Sequence, residues 1–259
     1  MQKDISQTSA ENTQTAGSGA GSFKRVESNA IAQTKLFFSE DSPLKQSAEH
    51  GGRPYEKRIQ QEQMAIAVSE ALEQNHNLCV EAPTGVGKSF AYLIPAIYHA
   101  LAVHKPVLIS TETINLQEQL VLKDLPFLKK ILNLEFTYVI AKGRSNYLCK
   151  RRLALAGGNR SQEFFSFPCK PEELREIQDW ASRTKDGSRS EIPFRVNPQL
   201  WHHVCSETAS CSAKKCPYYH QCFYWKQRLL WDKADLVVTN HALFFIDLKI
   251  RKLEHQEST

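Results

Sequence analysis

At 259 residues and 41% apolar content, the chain can build one large core or two modest ones. Its formal charge of +5 permits a polyanionic partner without requiring one. No run of about 18 apolar residues occurs and the first thirty residues lack the apolar centre of a signal peptide, so a membrane partner is excluded as a reading and the expected compartment is the cytosol. The seven cysteines are there read as thiols or metal ligands and not as disulfides.

Residues 1 to about 35 are rich in Gln, Ser, Thr, Ala and Gly and hold no Tyr, Trp or Cys. Such a segment cannot bury enough surface to offset chain entropy, and it is expected to be a disordered tail. Ordered structure is expected to begin between LFFSEDSPL and PYEKR. QQEQMAIAVSEALEQ then places Met64, Val68 and Leu72 on one helical face, and LCVEA at 78–82 reads as a short buried strand with Cys79 in the core. A helix follows GVGKS, and Pro95 is expected to bend or end its first segment.

VLISTET at 107–113 and FTYVIAK at 136–142 are further strand-like runs, separated by the amphipathic NLQEQLVLKDLPFLKKIL. DLVVTNH at 235–241 completes the set. Strand and helix in alternation predict a parallel α/β sheet. Between residues 143 and about 233 the alternation stops, in a stretch that holds six of the seven cysteines, the helix candidate PEELREIQDWASRT and the loop TKDGSRS. This reads as an inserted module.

The octet Ala82, Pro83, Thr84, Gly85, Val86, Gly87, Lys88, Ser89 has the makings of a phosphate cradle. Glycines let backbone N–H groups turn toward phosphate at a helix N-terminus, whose partial positive charge faces the anion. Lys88 is placed to reach the outer phosphates and the Ser89 hydroxyl to ligate Mg2+, the two catalytic candidates of the loop. Ala82 stands where the motif usually has its first glycine. ATP is the expected ligand.

Taken together, YEKRIQQEQMAIAVSEALEQ, EAPTGVGKSFAYLIPAI, STETINLQEQL, KGRSNYLC and ADLVVTNHAL resemble, in order, the N-terminal half of the DinG-type and XPD-like superfamily-two DNA helicases. The resemblance runs from about residue 36 to the end. It implies a P-loop, RecA-like α/β motor domain, a 5′ to 3′ DNA helicase activity driven by ATP, and DNA, single-stranded or forked, as partner. It also implies that Arg58 and Gln61, with Met64 closing the pattern, read the adenine base; taken alone they fit the exposed face of an ordinary helix equally well. Thr111, Thr113 and Gln117 become candidates for contact with the DNA backbone, although Thr113 also suits a helix cap.

The spacing C-x61-C-x4-C-x5-C falls on Cys149, Cys211, Cys216 and Cys222. The resemblance assigns these four to a [4Fe–4S] cluster, and zinc is the alternative that a four-cysteine set leaves open. Cys169 and Cys205 are read as non-ligands. The first cysteine lies in AKGRSNYLCKRRLALAGGNR, 141–160, with six Lys/Arg and no acidic residue. That run reads as a phosphate-neutralising surface, with Lys142 and Arg144 as DNA-contact candidates. Phe223, Tyr224 and Trp225 fit either base stacking or a core around the cluster.

The Asp-Glu-Ala-His tetrad that such motors use for Mg2+ and the attacking water does not occur in these residues, and Asp247, followed by Leu248, does not replace it. The expected organisation is a tail over 1–35, the first part of an ATP-binding domain over 36–142, an iron–sulfur module over 143–233 and a truncated return strand over 234–259. On this reading the chain is an N-terminal helicase fragment, unable to unwind alone and completed by a separately encoded C-terminal half. The alternative is a non-catalytic, single-stranded-DNA-binding regulatory module.

Overall fold

The computed structural model describes residues 29–50, 56–158 and 170–257. Most of the expected tail, residues 1–28, and Cys169 lie outside the described residues. Helical structure is present earlier than the sequence suggested: the Asn29 side chain accepts from the Ala32 amide at 2.8 Å and caps helix α1, Ala30–Phe37. Ala30, Thr34 and Phe37 recur at helical spacing and are buried, so this short helix is held by packing against the helices that follow, burial of Phe37 alone being worth about 1.5–3 kcal/mol. A second short helix, α2, covers Pro43–His50.

Helix α3, Ile59–Gln74, and helix α4, Lys88–Val103, form the main helical layer. The buried face of α3 is Gln61, Ala65 and Ser69, one step round from the expected Met64, Val68 and Leu72. Small side chains at i and i+4 let α3 approach its neighbours closely, while the three larger residues line an open hollow beside Leu78 and Val80. Helix α4 carries Leu93, Ile94, Ala96, Ile97 and Ala100 into the core and continues to Val103 through Pro95. The proline does not end the helix. It is itself buried among those apolar neighbours, and their packing outweighs the one hydrogen bond its missing N–H removes.

Three strands, β1 (Val107–Thr111), β2 (Tyr138–Ile140) and β3 (Leu236–Asn240), make a parallel sheet of order β1-β3-β2. Val107 stands opposite Leu236 and Thr111 opposite Asn240, with Tyr138 opposite Leu236 on the other side. The central strand is buried from Leu236 to Thr239, as a near-continuous apolar run in a parallel sheet should be. Residues 78–82 are not paired in this sheet: Leu78 and Val80 are 43% and 40% exposed and Cys79 is exposed too. The expected buried strand is therefore corrected to an exposed segment outside the described sheet, because apolar residues make a strand only where a neighbour takes their backbone groups.

The stretch between β1 and β2 is not one helix. Helix α5 (Ile114–Gln119) passes into a π turn over Leu120–Asp124 and then into α6 (Leu125–Leu132). Pro126 has no N–H to give to the preceding turn, and the wider turn ahead of it accommodates the break. These elements share one core with α1, α3, α4, β1 and β3.

A second core is separate. Tyr147, Leu148, Leu153, Ile177, Trp180, Leu200, Trp201, Val204 and Phe223 pack together, drawn from helices α7 (Lys150–Ala156), α8 (Pro171–Arg183), α9 (Pro198–Val204) and α10 (Phe223–Trp231). Helix α11, His241–Glu257, leaves β3 directly. Asn240 caps its start by accepting from the Leu243 amide at 2.8 Å.

Candidate functional site

The phosphate-loop octet ends at the N-terminus of α4. Gly85 and Gly87 have φ of 87° and 86°, a region open to glycine at little cost, and Gly87 is the residue from which the helix starts. A Cβ on Gly87 would collide with the Gln61 amide. The Gln61 Nε2 donates to the Gly87 carbonyl at 2.8 Å, and Arg58 Nη1 donates to the Gly85 carbonyl at 2.8 Å. The two residues assigned to adenine thus grip the carbonyls of both loop glycines. Gln61 is buried, not a polar residue on an open helix face.

The Lys88 ammonium lies inside the loop, donating to the carbonyls of Ala82 and Pro83 at 2.9 Å each. A cation held by two neutral carbonyls is poised to exchange them for a charged acceptor, which binds it more strongly. Ser89 hydrogen bonds to Tyr92, whose hydroxyl is nevertheless pushed up from its ordinary value by burial. Thr84 and Gly85 are exposed, so the mouth of the loop is open.

At the carboxyl end of the sheet the side chains do different work from that expected. Gln117 is 1% exposed, and its Nε2 donates to Ala141 O at 3.0 Å and Val238 O at 3.1 Å, fastening β3 to the end of β2. Thr111 is buried as well and donates to Thr113 O and Thr239 O. Both side chains are turned to backbone carbonyls. Thr113 is exposed and caps α5 by accepting from Leu116 N at 3.2 Å. Ser110 Oγ and His241 Nδ1, 2.7 Å apart, tie the ends of β1 and β3.

The basic run is also redirected inward. Lys142 donates to Ser188 Oγ at 3.2 Å and Ser190 Oγ at 2.6 Å and pairs with Glu118 at 3.7 Å. Arg144 stacks on Tyr224, its guanidinium carbon 4.0 Å from the ring centroid. Lys150 lies over Phe223, Arg151 bonds to Ser210 O, and Arg152 is buried, donating to His203 O at 2.7 Å and His202 O at 2.9 Å while paired with Glu207. The run that looked like a solvent-facing phosphate surface is largely a set of internal braces. A cation-rich sequence near cysteine ligands serves both purposes equally well on paper, and the interleaved Tyr147, Leu148 and Leu153, all core residues, were the available signal.

Cys149, Cys211, Cys216 and Cys222 line one cavity together with Arg151, Glu207, Tyr219 and Trp225. Cys149 and Cys222 are the residues from which α7 and α10 start. The Cys222 sulfur accepts from the amides of Trp225 and Tyr224, although burial pushes the thiol up overall. Burial acts on Cys211 in the same sense, yet the Ala213 amide with the neighbouring Arg144 and Trp225 outweighs it, and this thiol is held below its ordinary value. Cys205 is elsewhere: it belongs to the apolar core, its Sγ donates to His202 O at 3.5 Å, and burial raises its pKa.

Among the described residues no group of three or more His, Cys, Asp or Glu side chains is arranged to hold a metal ion. A single zinc needs its sulfurs about 2.3 Å from one point. A four-iron cage spreads its four sulfurs around its corners, so four cysteines spaced about a shared cavity are the more compatible with it. Of the aromatics after the last cysteine, Phe223 is core, Tyr224 packs against that core and Trp225 faces the cavity. Glu207 and the indole N–H of Trp225 were not anticipated as parts of this site; the position of Trp225, three residues after the helix-starting Cys222, was the one clue to the latter.

A parallel sheet with a glycine loop opening a helix defines an α/β nucleotide-binding domain of the P-loop, RecA-like class. Residues 57–160 match the DEAD/DEAH box helicase family. The chain is 39% identical over 202 residues to the ATP-dependent DNA helicase YoaA of Escherichia coli K12, covering 76% of this chain and 30% of that protein. It is 39% identical over 206 residues to the ATP-dependent helicase DinG of Mycobacterium tuberculosis H37Ra, covering 74% and 31%, and 34% identical over 224 residues to DinG of Photobacterium profundum, covering 81% and 32%. The chain belongs to the DinG-type helicase family and matches its N-terminal portion. It spans about a third of the length of these relatives. No helix among the described residues is long and apolar enough to cross a membrane.

Proposed function

We propose that this chain is the nucleotide-binding N-terminal portion of an ATP-dependent DNA helicase with 5′ to 3′ polarity. The observation that carries the proposal is Lys88, whose ammonium waits inside a loop of two positive-φ glycines at the start of a sixteen-residue helix. ATP binds with its phosphates on the amides of 84–89, Lys88 exchanges the Ala82 and Pro83 carbonyls for phosphate oxygens, and Ser89 ligates Mg2+. Arg58 and Gln61 join the base to the loop, since both hold its glycine carbonyls. The Asp-Glu-Ala-His pair of carboxylates does not occur in these 259 residues, so these residues bind nucleotide and hydrolysis needs carboxylates from outside them.

Cys149, Cys211, Cys216 and Cys222 hold a [4Fe–4S] cluster, with zinc as the alternative. Bound there, the cluster would supply a rigid, electron-accepting anchor for the second core. Single-stranded or forked DNA is the substrate, and of the five residues first assigned to it only Thr113 is exposed.

The test is equilibrium binding of ATP to the chain and to Lys88→Ala. Loss of a charged hydrogen-bond donor to phosphate is expected to weaken binding by about tenfold or more. Equal affinity in the two proteins would remove Lys88 from the nucleotide site.

A further inference from the structure

Two buried donors beside the cysteine cavity have no acceptor. Arg144 Nη1 and Trp225 Nε1 are shut away from solvent, and neither completes a hydrogen bond with another protein group. Both side chains nonetheless come up against the same sulfur, that of Cys211, and Trp225 lines the cavity with it. Neither donor is free to turn elsewhere. The Arg144 guanidinium is stacked 4.0 Å from the Tyr224 centroid and 5.8 Å from that of Trp225. The indole in turn is held between Tyr219, at 5.9 Å, and Tyr224, at 5.6 Å.

A neutral thiol is a weak acceptor, which is why two buried donors can face one and remain unpaired. A thiolate bound to iron is a far better one. Cys222, by comparison, takes its donors from the backbone, so side-chain donors converge on Cys211.

We propose that Arg144 and Trp225 are positioning residues that donate to the Cys211 sulfur once the four cysteines hold their cluster, and that they raise the cluster's reduction potential. This rests on the cluster reading given above. A guanidinium and an indole N–H directed at a ligand sulfur favour the more electron-rich state, and such hydrogen bonds are among the factors that set the potential of an iron–sulfur centre.

The experiment is a mediated redox titration of the anaerobically purified chain, with dithionite donating one electron per cluster, [4Fe–4S]2+ to [4Fe–4S]1+, followed by the paramagnetic resonance of the reduced form. Trp225→Phe keeps an aromatic ring and removes the N–H; Arg144→Gln removes the charge. With iron and sulfide contents equal to the parent's, each variant is expected to have a lower potential, by a tenfold change in the ratio of oxidised to reduced cluster, about 59 mV for one electron. Unchanged potentials in both variants would overturn the proposal and leave the cluster reading standing. A parent protein that carries neither iron nor sulfide would instead overturn the cluster reading and the proposal with it. Should Trp225→Phe fail to assemble, benzothienylalanine at position 225, which replaces the N–H by sulfur in a ring of nearly the same shape, answers the same question: a lower potential supports the proposal and an unchanged one rejects it.

Discussion

The amide of Gln117 bridges two carbonyls of different strand ends, Ala141 and Val238, in a fully buried setting. Replacing it with leucine keeps the volume and leaves both carbonyls without that donor. Gln117→Leu is therefore expected to lower stability by about 2 kcal/mol, read as a lower urea midpoint with an unchanged slope. A midpoint equal to the parent's would mean that the amide contributes nothing to the sheet and is available to a ligand. Thr113 carries the opposite expectation: its hydroxyl caps α5 from an exposed position, so Thr113→Ala costs only about 1 kcal/mol. Any further loss of DNA affinity in that variant, measured at one fixed salt concentration, belongs to DNA contact and not to folding.

Helix α9 ends under a clamp. Arg152 bonds to the carbonyls of His203 and His202 in its last turn and pairs with Glu207 beyond it. Arg152→Met removes donors from two helix-end carbonyls and is expected to destabilise the protein by about 2–3 kcal/mol near neutral pH. The hydrogen bond from Arg152 also holds the Glu207 carboxyl below its ordinary range. A depressed carboxyl contributes stability that is present above its unfolded pKa and is lost as pH falls through the folded value. The gap in stability between parent and variant should thus narrow as pH falls from about 6 toward about 3; a gap of constant size would show that the ion pair adds nothing to the carbonyl bonds. Glu207 is 39% exposed, so solvent screening keeps this part of the effect small.

At the scale of the whole molecule, what could be read from the sequence was what depends on near neighbours. The alternation that gives β1, β2 and β3, the Pro171 start of α8 and the glycine loop before α4 are local patterns, and they stand where the spacing puts them. What could not be read depends on distant partners: whether 78–82 has a neighbouring strand, whether α3 turns Ala65 or Met64 inward, whether Arg144 and Arg152 meet water or a carbonyl. Beside a small cluster of Val139, Ala141, Ala234 and Val237, the described residues form two larger cores, one around α3, α4 and the sheet and one drawn from Tyr147 to Phe223, and they differ in what supports them. The second is built from helices of seven to thirteen residues joined by 3-10 turns at Ala213–Lys215 and Tyr219–Gln221. Short helices and turns of this kind have little stability of their own, and the four cysteines lie along them at Cys149, Cys211, Cys216 and Cys222. Metal binding to such a site contributes directly to folding. Stripping the proposed metal centre with a chelator under reducing conditions is therefore expected to speed amide hydrogen exchange in the 200–225 region by about tenfold or more, while amides of β1 and β3 exchange at their former rate. Equal acceleration in both regions would mean that the two cores unfold as one unit. No acceleration in 200–225 would mean that the second core stands on its packing alone, with the metal an ornament to it.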